Sequence, residues 1–321
     1  MCSFQLRLRD NTFFDSTVWI MVMVVLGVLL SIGSTHAATI KQKRFASPEE
    51  AAEALITAIK ANDNDKLLAI FGPLGKALIF SWDESRDKAA RARFEKAYGE
   101  RNELERQNAN RVILHVGSQD WPFPIPIVRQ GNSWYFNTSE GRKQILDQRI
   151  ALDELGAIQV CLALVDAQKG YASRDRTGDG VPQYAQEIAS EPGKRDGLYW
   201  PVNAGEEPSP LEPLVAEAIA EGYGRAPSAE RPVCFHGYLF RILTQQGKHA
   251  SGGSRDYLTG GKMTGGFALL AYPVEYGNSG VMTFIVNQDG VVYQKDLGKK
   301  TPQTAKAMKS FDPDKSWEKA E

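Results

Sequence analysis

The sequence predicts an α+β protein built from two successive helix-and-sheet units, and three observations carry that expectation. Helix signals crowd the stretch that ends near Tyr98 and give way to short strand signals up to Phe136. A second helical stretch, 139–172, is followed by a second set of strands. At 321 residues the chain also exceeds one comfortable hydrophobic core.

Ahead of the first unit, Arg7 and Arg9 precede an uncharged run, 18–32. That run is too short for a membrane span of ~20 residues. Thr35 and Ala37 are the small residues that a signal peptidase reads, so 1–37 is expected to be a cleavable signal peptide. An uncleaved anchor is the alternative, because Asp10 and Asp15 lengthen the charged front segment. Cys2 lies before the apolar run and so is not a lipoprotein cysteine. The expected product is periplasmic or secreted, with no integral membrane span after cleavage.

The first unit is placed at 45–149. Ser47, Pro48 and Glu50 form an S-x-x-E capping box with proline at the first helical position. Leu55, Ile56 and Ile59 are its buried stripe, and Asn62-Asp63 ends the helix. A short helix at 65–71 stops at Gly72-Pro73, and the charged stretch 83–98 reads as a solvated third helix. Strands follow at 112–116, 125–128 and 134–136, with a hairpin turn at Gly131-Asn132. Trp121-Pro-Phe-Pro-Ile-Pro is expected to be an edge strand whose prolines block pairing; a polyproline docking segment is the alternative.

The second unit is placed at 150–300. Leu152, Leu155, Ile158, Val160, Leu162, Leu164, Val165 and Tyr171 make the helix apolar enough to be buried on more than one side. A Gly-, Pro- and charge-rich stretch, 174–232, holds one helix at 211–221. Strands are expected at 238–243 and 267–273, then a hairpin of 281–286 and 291–297 turning at Asp289-Gly290. Residues 301–321 read as a polar, peripheral tail.

Apolar content of 42% and charge of 24% exclude a disordered or fibrous chain. The net charge is −1, and removing Arg7, Arg9, Asp10 and Asp15 with the signal leaves it unchanged. No basic stripe interleaves with aromatics, so nucleic acid is not an expected partner.

Few constellations carry chemistry. Gly277-Asn278-Ser279-Gly280 matches the nucleophile segment of chymotrypsin-like proteases, with His115 and His236 upstream as conceivable bases. A turn rich in Gly, Asn and Ser before a strand is the simpler reading. Asp175, Thr177 and Asp179 supply oxygens at alternate positions before Gly180, as a calcium loop does. Position twelve of that loop is Gln186, however, and Pro182 interrupts it, which favours an Asp/Gly turn. The four histidines share no zinc-ligand spacing, and the glycines at 252–266 open no phosphate loop, so no cofactor is expected. Asp166 is a lone carboxylate in the long helix, read as part of a solvated face or as the partner of an arginine.

Several phrases resemble the exported bacterial domain-of-unknown-function family 2950. They are Phe45-Ala-Ser-Pro-Glu-Glu-Ala, Trp121-Pro-Phe-Pro-Ile-Pro, Phe235-His-Gly-Tyr, Arg241-Ile-Leu-Thr, Met263-Thr-Gly-Gly-Phe, Tyr276-Gly-Asn-Ser-Gly-Val-Met-Thr-Phe and Ser316-Trp317. The likeness runs from Phe45 to Trp317 and brings no established activity. Residues 45–138 look like the cone-shaped domains of the nuclear-transport-factor-2/cystatin-like kind. Residues 150–297 are similar to the globular part of pilins and pseudopilins. Ala167-Gln-Lys-Gly-Tyr171, Gly237-Tyr-Leu-Phe-Arg-Ile242 and Ala271-Tyr-Pro-Val-Glu-Tyr-Gly-Asn-Ser-Gly280 carry that second likeness. Assembly into a pilus shaft is not implied, because another unit occupies the place of the pilin half-helix.

These resemblances imply a cone-type unit followed by a long helix packed on an antiparallel sheet. The expected role is a non-enzymatic binding or scaffolding module with an unidentified envelope partner. One alternative is a small-molecule binder or isomerase-like protein using the cone cavity, with His115 and Tyr135 as its inward polar groups. Another is a minor pilus- or secretion-associated component. The pilin likeness also implies a Cys161–Cys234 disulfide, which an oxidising compartment would favour.

Overall fold

Ser47 starts the first helix as its sequence predicts. Its Oγ accepts from Glu50 N at 3.1 Å, and Glu50 Oε2 accepts in return from Ala46 N, one residue before the cap, at 2.8 Å, so the S-x-x-E pair caps α1 (Pro48–Lys60) in a shifted form of the capping box. The computed structural model describes residues 41–81, 83–203, 205–220 and 233–320. The signal segment and its cleavage point at Ala37 lie outside the described residues.

Asp63 caps α2 (Asn64–Phe71) by accepting from Lys66 N at 2.9 Å, and Gly72 ends it with a φ of 69° ahead of Pro73. A 3-10 turn, Pro73–Gly75, leads into the single-turn α3 (Lys76–Ile79). The charged helix α4 (Glu84–Glu100) has no buried residue, as its composition predicts.

The first sheet contains β1 (Asn102–Asn108), β2 (Arg111–Val116), β3 (Trp121–Pro122), β4 (Ile127–Gln130) and β5 (Ser133–Phe136). Its order is β1-β2-β4-β5, with β3 also on β2, and every pairing is antiparallel. Gln130 pairs with Ser133, so Gly131-Asn132 is the two-residue turn expected. Val112, Leu114, Val116, Ile127 and Phe136 join Leu55, Ile59, Ile70 and Phe71 in one apolar cluster. Among the described residues Trp121-Pro122 pairs only with β2, and the start of the next helix covers the segment that follows. Gly141 permits that approach, because a Cβ there would fall on the carbonyl of Pro124.

The long helix α5 (Thr138–Ala172) runs unbroken through both units. Ile145 packs on the first cluster, whereas Ala157, Val160, Cys161, Leu164, Val165 and Tyr171 belong to a second. The expected boundary near 149 thus falls inside a continuous helix, and Lys41–Glu321 is one compact unit. Burial on more than one side does not hold throughout. Leu152, Leu155 and Leu162 are 61%, 54% and 41% exposed, because among the described residues no element covers that side of α5.

Beyond α5, a short parallel pair joins Glu187–Ala189 to Gly197–Tyr199, and α6 (Glu212–Ala220) occupies the expected helix position. The second sheet is a six-stranded antiparallel meander. Its strands are β6 (Val233–Phe235), β7 (Tyr238–Leu243), β8 (Ala268–Pro273), β9 (Met282–Asn287), β10 (Tyr293–Asp296) and β11 (Glu318–Lys319), adjacent in chain order. The expected peripheral tail needs correction. Helix α7 (Thr301–Ala307) buries Thr301 and Ala305, and Phe311 is buried after it. Arg241 fixes the helix from the sheet, its Nη2 donating to Ala305 O at 2.7 Å and to Met308 O at 2.5 Å.

Candidate functional site

The first apolar cluster leaves a half-open space along one edge. A cavity of about 250 Å3 remains between the sheet, α1–α4 and the start of α5. Leu55, Ile59, Leu67, Phe71, Leu78 and Ile79 form an aliphatic wall with one aromatic ring. Phe94, Trp121, Phe123, Ile125 and Ile145 face them. Phe123 is the aromatic hub, edge-on to Phe94 at 5.5 Å and to Trp121 at 6.0 Å between ring centroids. Trp121 is 39% exposed, which places the aromatic wall partly at the surface.

Ala90 and four polar side chains, Asp87, Arg91, Gln148 and Arg149, complete the lining. Asp87 and Arg91 are one turn apart on α4, on the stripe beside Ala90 and Phe94. Asp87 Oδ2 accepts from Ser81 N at 3.1 Å. Burial holds the Asp87 carboxyl above its ordinary range, against the opposing pull of Ser81 and of the Arg149 and Arg91 charges. Arg91 donates to Ile79 O at 3.2 Å and to Asn62 Oδ1 at 3.4 Å. Arg149 donates to Ala77 O at 2.5 Å, Leu78 O at 2.7 Å and Asn278 Oδ1 at 3.1 Å, and burial lowers its guanidinium pKa.

Next to these groups lies a second pocket of about 530 Å3, lined mostly by charged and amide residues, which shares Asp87 and Arg91 with the first. Asn62, Asn64, Lys76, Phe80, Asp83, Glu84 and Lys88 complete its wall.

The structure does not bring the two expected cavity residues to this site. Strand alternation turns Val112, Leu114 and Val116 inward on β2, and Trp134 and Phe136 inward on β5, so His115 and Tyr135 face out. His115 Nε2 lies 3.0 Å from Glu105 Oε2, and its Nδ1 lies 3.3 Å from Asp120 O. Tyr135 lies under the Arg44 guanidinium, 4.0 Å from its ring centroid.

Asp175, Thr177 and Asp179 do come together, as a self-braced loop. Asp175 accepts from Thr177 N and Oγ1, from Gly178 N and from Gly180 N, and these bonds lower its pKa. Asp179 accepts from Val181 N and Gln183 Nε2 and pairs with Lys262 at 3.2 Å. Among the described residues no group of three His, Cys, Asp or Glu side chains is arranged to hold a metal ion.

Ser279 is fully buried, and its Oγ engages Glu275 N and O within the turn. The neighbouring Asn278 reaches Phe80 O at 3.1 Å. The Gly-Asn-Ser-Gly segment is therefore a turn that ties the second sheet to the first unit.

The expected Cys161–Cys234 bridge is corrected: both thiols are free. Cys161 is buried on α5 beside Tyr238. Cys234 pairs with Leu239, one register step from the Phe235–Tyr238 pair, so alternation turns it to the opposite face of the sheet. Burial pushes the Cys161 thiol up to about 12; burial, with the Asp83 charge adding to it, pushes that of Cys234 up to about 11.

Asp87 and Arg91 lie in the stretch 83–98, whose charge reads as solvated, and Arg149 lies at the expected boundary between the units, so none of the three is marked as a site residue by the sequence. The usable signal was the double i,i+4 pattern, Asp87/Arg91 beside Ala90/Phe94, which gives α4 an inward stripe.

No curated protein and no solved structure matches the chain. The family model described as protein of unknown function (DUF2950) matches residues 42–320, and the chain belongs to that family.

Proposed function

We propose that this chain is an exported, non-enzymatic binding module that receives an apolar group in the cavity beneath α4. The observation that carries the reading is the cavity itself: about 250 Å3 walled mainly by aliphatic and aromatic side chains, with its few polar groups confined to α4 and α5. Asp87, Arg91 and Arg149 spend hydrogen bonds on the protein's own backbone, which suits a fixed rim more than a reacting centre. Export rests on the signal pattern at 1–37.

The neutral fluorophore N-phenyl-1-naphthylamine tests the reading. Saturable, one-to-one binding is expected, and Ala90→Phe should weaken it, because Ala90 is an exposed residue of the cavity lining. No saturable binding, or binding indifferent to Ala90→Phe, would remove the proposal. Export is tested separately: the mature protein from the envelope fraction should begin at Ala38.

One observation favours a second reading. A carboxyl raised by burial at an apolar cavity is suited to acid–base chemistry, and Asp87 meets that description. The binding reading expects Asp87→Asn to retain the fluorophore, whereas an isomerase-like role would require the carboxyl for turnover.

A further inference from the structure

We infer that the apolar cavity and the charge-lined pocket beside it form one bipartite site, whose ligand is a single-chain amphiphile with an anionic head. This inference rests on the binding role proposed above and specifies the ligand class.

The argument begins with size. At ~30 Å3 per water-sized group, the apolar cavity holds roughly eight methylenes. That is one short alkyl chain or one aryl arm, and too little for a two-chain lipid. The cavity alone is smaller than a usual small-molecule site, at ~300 Å3 or more. The adjoining pocket of about 530 Å3 supplies the missing volume, and eight of its nine lining residues carry charged or amide groups, on largely aliphatic stems. Asp87 and Arg91 line both spaces, so a molecule with its arm in the first places its head in the second.

The sign of the head follows from which charges are already spent. The pocket carries Lys76, Lys88 and Arg91 against Asp83, Glu84 and Asp87, a formal balance of zero. Glu84 is paired with Lys88 at 2.7 Å. Asp83 caps α4 by accepting from Arg86 N at 3.0 Å, and Asp87 accepts from Ser81 N. Among the described residues the Lys76 ammonium makes no hydrogen bond or ion pair, so the donor capacity left for a ligand is cationic. A carboxylate or phosphate head would give Lys76 its first partner among the described residues, whereas an ammonium head would share carboxylates that already hold Lys88, Arg86 N or Ser81 N.

Displacement of N-phenyl-1-naphthylamine by octanoate, octyl phosphate, octanol and octylammonium tests the inference. At least one of the two anions should displace the fluorophore at concentrations roughly fivefold lower than octanol, the scale of one exposed ion pair, and octylammonium should be weaker than octanol. Comparing octanoate with octyl phosphate tells which anionic head is preferred. Lys76→Gln, at an exposed position, should erase the anion's advantage and leave octanol unchanged. Equal displacement by all four, or an anion preference that survives Lys76→Gln, overturns the inference. If none displaces a fluorophore that still responds to Ala90→Phe, the ligand class is wrong and the cavity reading stands. If the fluorophore itself fails to bind, both fall.

Discussion

Arg149 Nη1 lies 3.1 Å from Asn278 Oδ1, joining the long helix to the turn between β8 and β9. The same guanidinium holds Ala77 O and Leu78 O, and Asn278 Nδ2 holds Phe80 O, so two side chains staple both apolar clusters to the segment around α3. Arg149→Met leaves two carbonyls without a charged donor and should cost about 2–3 kcal/mol. Asn278→Ala should cost about 1 kcal/mol, and the double variant should cost less than the two together by ~1 kcal/mol, because they share a bond. Urea unfolding of the four proteins measures the coupling; strict additivity would mean that the bond carries no energy.

Gly156 and Gly170 lie in the same helix and should respond to alanine with opposite signs. A Cβ at Gly156 would sit 2.6 Å from His236 Cδ2, whose residue is itself held at a φ of 48°. A Cβ at Gly170 would meet only Pro210 Cβ at 3.9 Å, an ordinary contact. Gly170→Ala should therefore gain up to ~1 kcal/mol of helix propensity. Gly156→Ala should instead lose ~1–3 kcal/mol through overpacking. Two gains would show that the His236 turn yields freely.

Legibility followed how local the determining physics is. The capping box at Ser47 and Glu50 and the turn at Gly131-Asn132 depend on a few neighbouring residues, and both were readable. Strand β1, Asn102–Asn108, was not, because Leu104 is its single apolar side chain and its place is set by pairing with β2. Leu152, Leu155 and Leu162 misled for the converse reason: apolarity marks what can be buried, while the neighbours of α5 decide what is. The rim of the cavity was hidden in the same way. Asp87 and Arg91 look like solvated charges until Ser81 and Ile79 fold against them.

The thiols give a direct chemical test of the second sheet. With Cys161 pushed up to about 12 and Cys234 to about 11, neither forms appreciable thiolate in a mildly alkaline buffer. Native protein should alkylate slowly, and unfolding without reductant should expose two reactive thiols. Mature protein that takes up no label when unfolded would show the cysteines bridged.

Division of the mature chain near residue 149 is proposed from the two apolar clusters on either side of it. Fragments 41–149 and 150–321 should each unfold cooperatively, with lower stability than the whole because the Arg149–Asn278 staple and the Arg86–Asp153 pair are both cut. Aggregation of both fragments would mean that α5 serves a single indivisible core.

Asp87 should make stability depend on pH in the direction opposite to that of most carboxylates. Its folded pKa is raised by burial, above the ordinary 3.8, and the hydrogen bond from Ser81 offsets only part of that penalty. Between the unfolded and folded pKa values the native state binds more protons than the unfolded chain, so stability falls as pH rises through that window. Below the unfolded value the contribution is fully present; above the folded value it is gone. Asp87→Asn keeps an oxygen for Ser81 N and removes the titration. The variant should thus gain on the parent protein as the pH is taken from about 4 to about 7, spanning the carboxylate range. Urea unfolding of both proteins across that interval measures the difference. A parent that gains on the variant with rising pH would place the ionised carboxylate, and not the protonated one, as the form the folded site prefers.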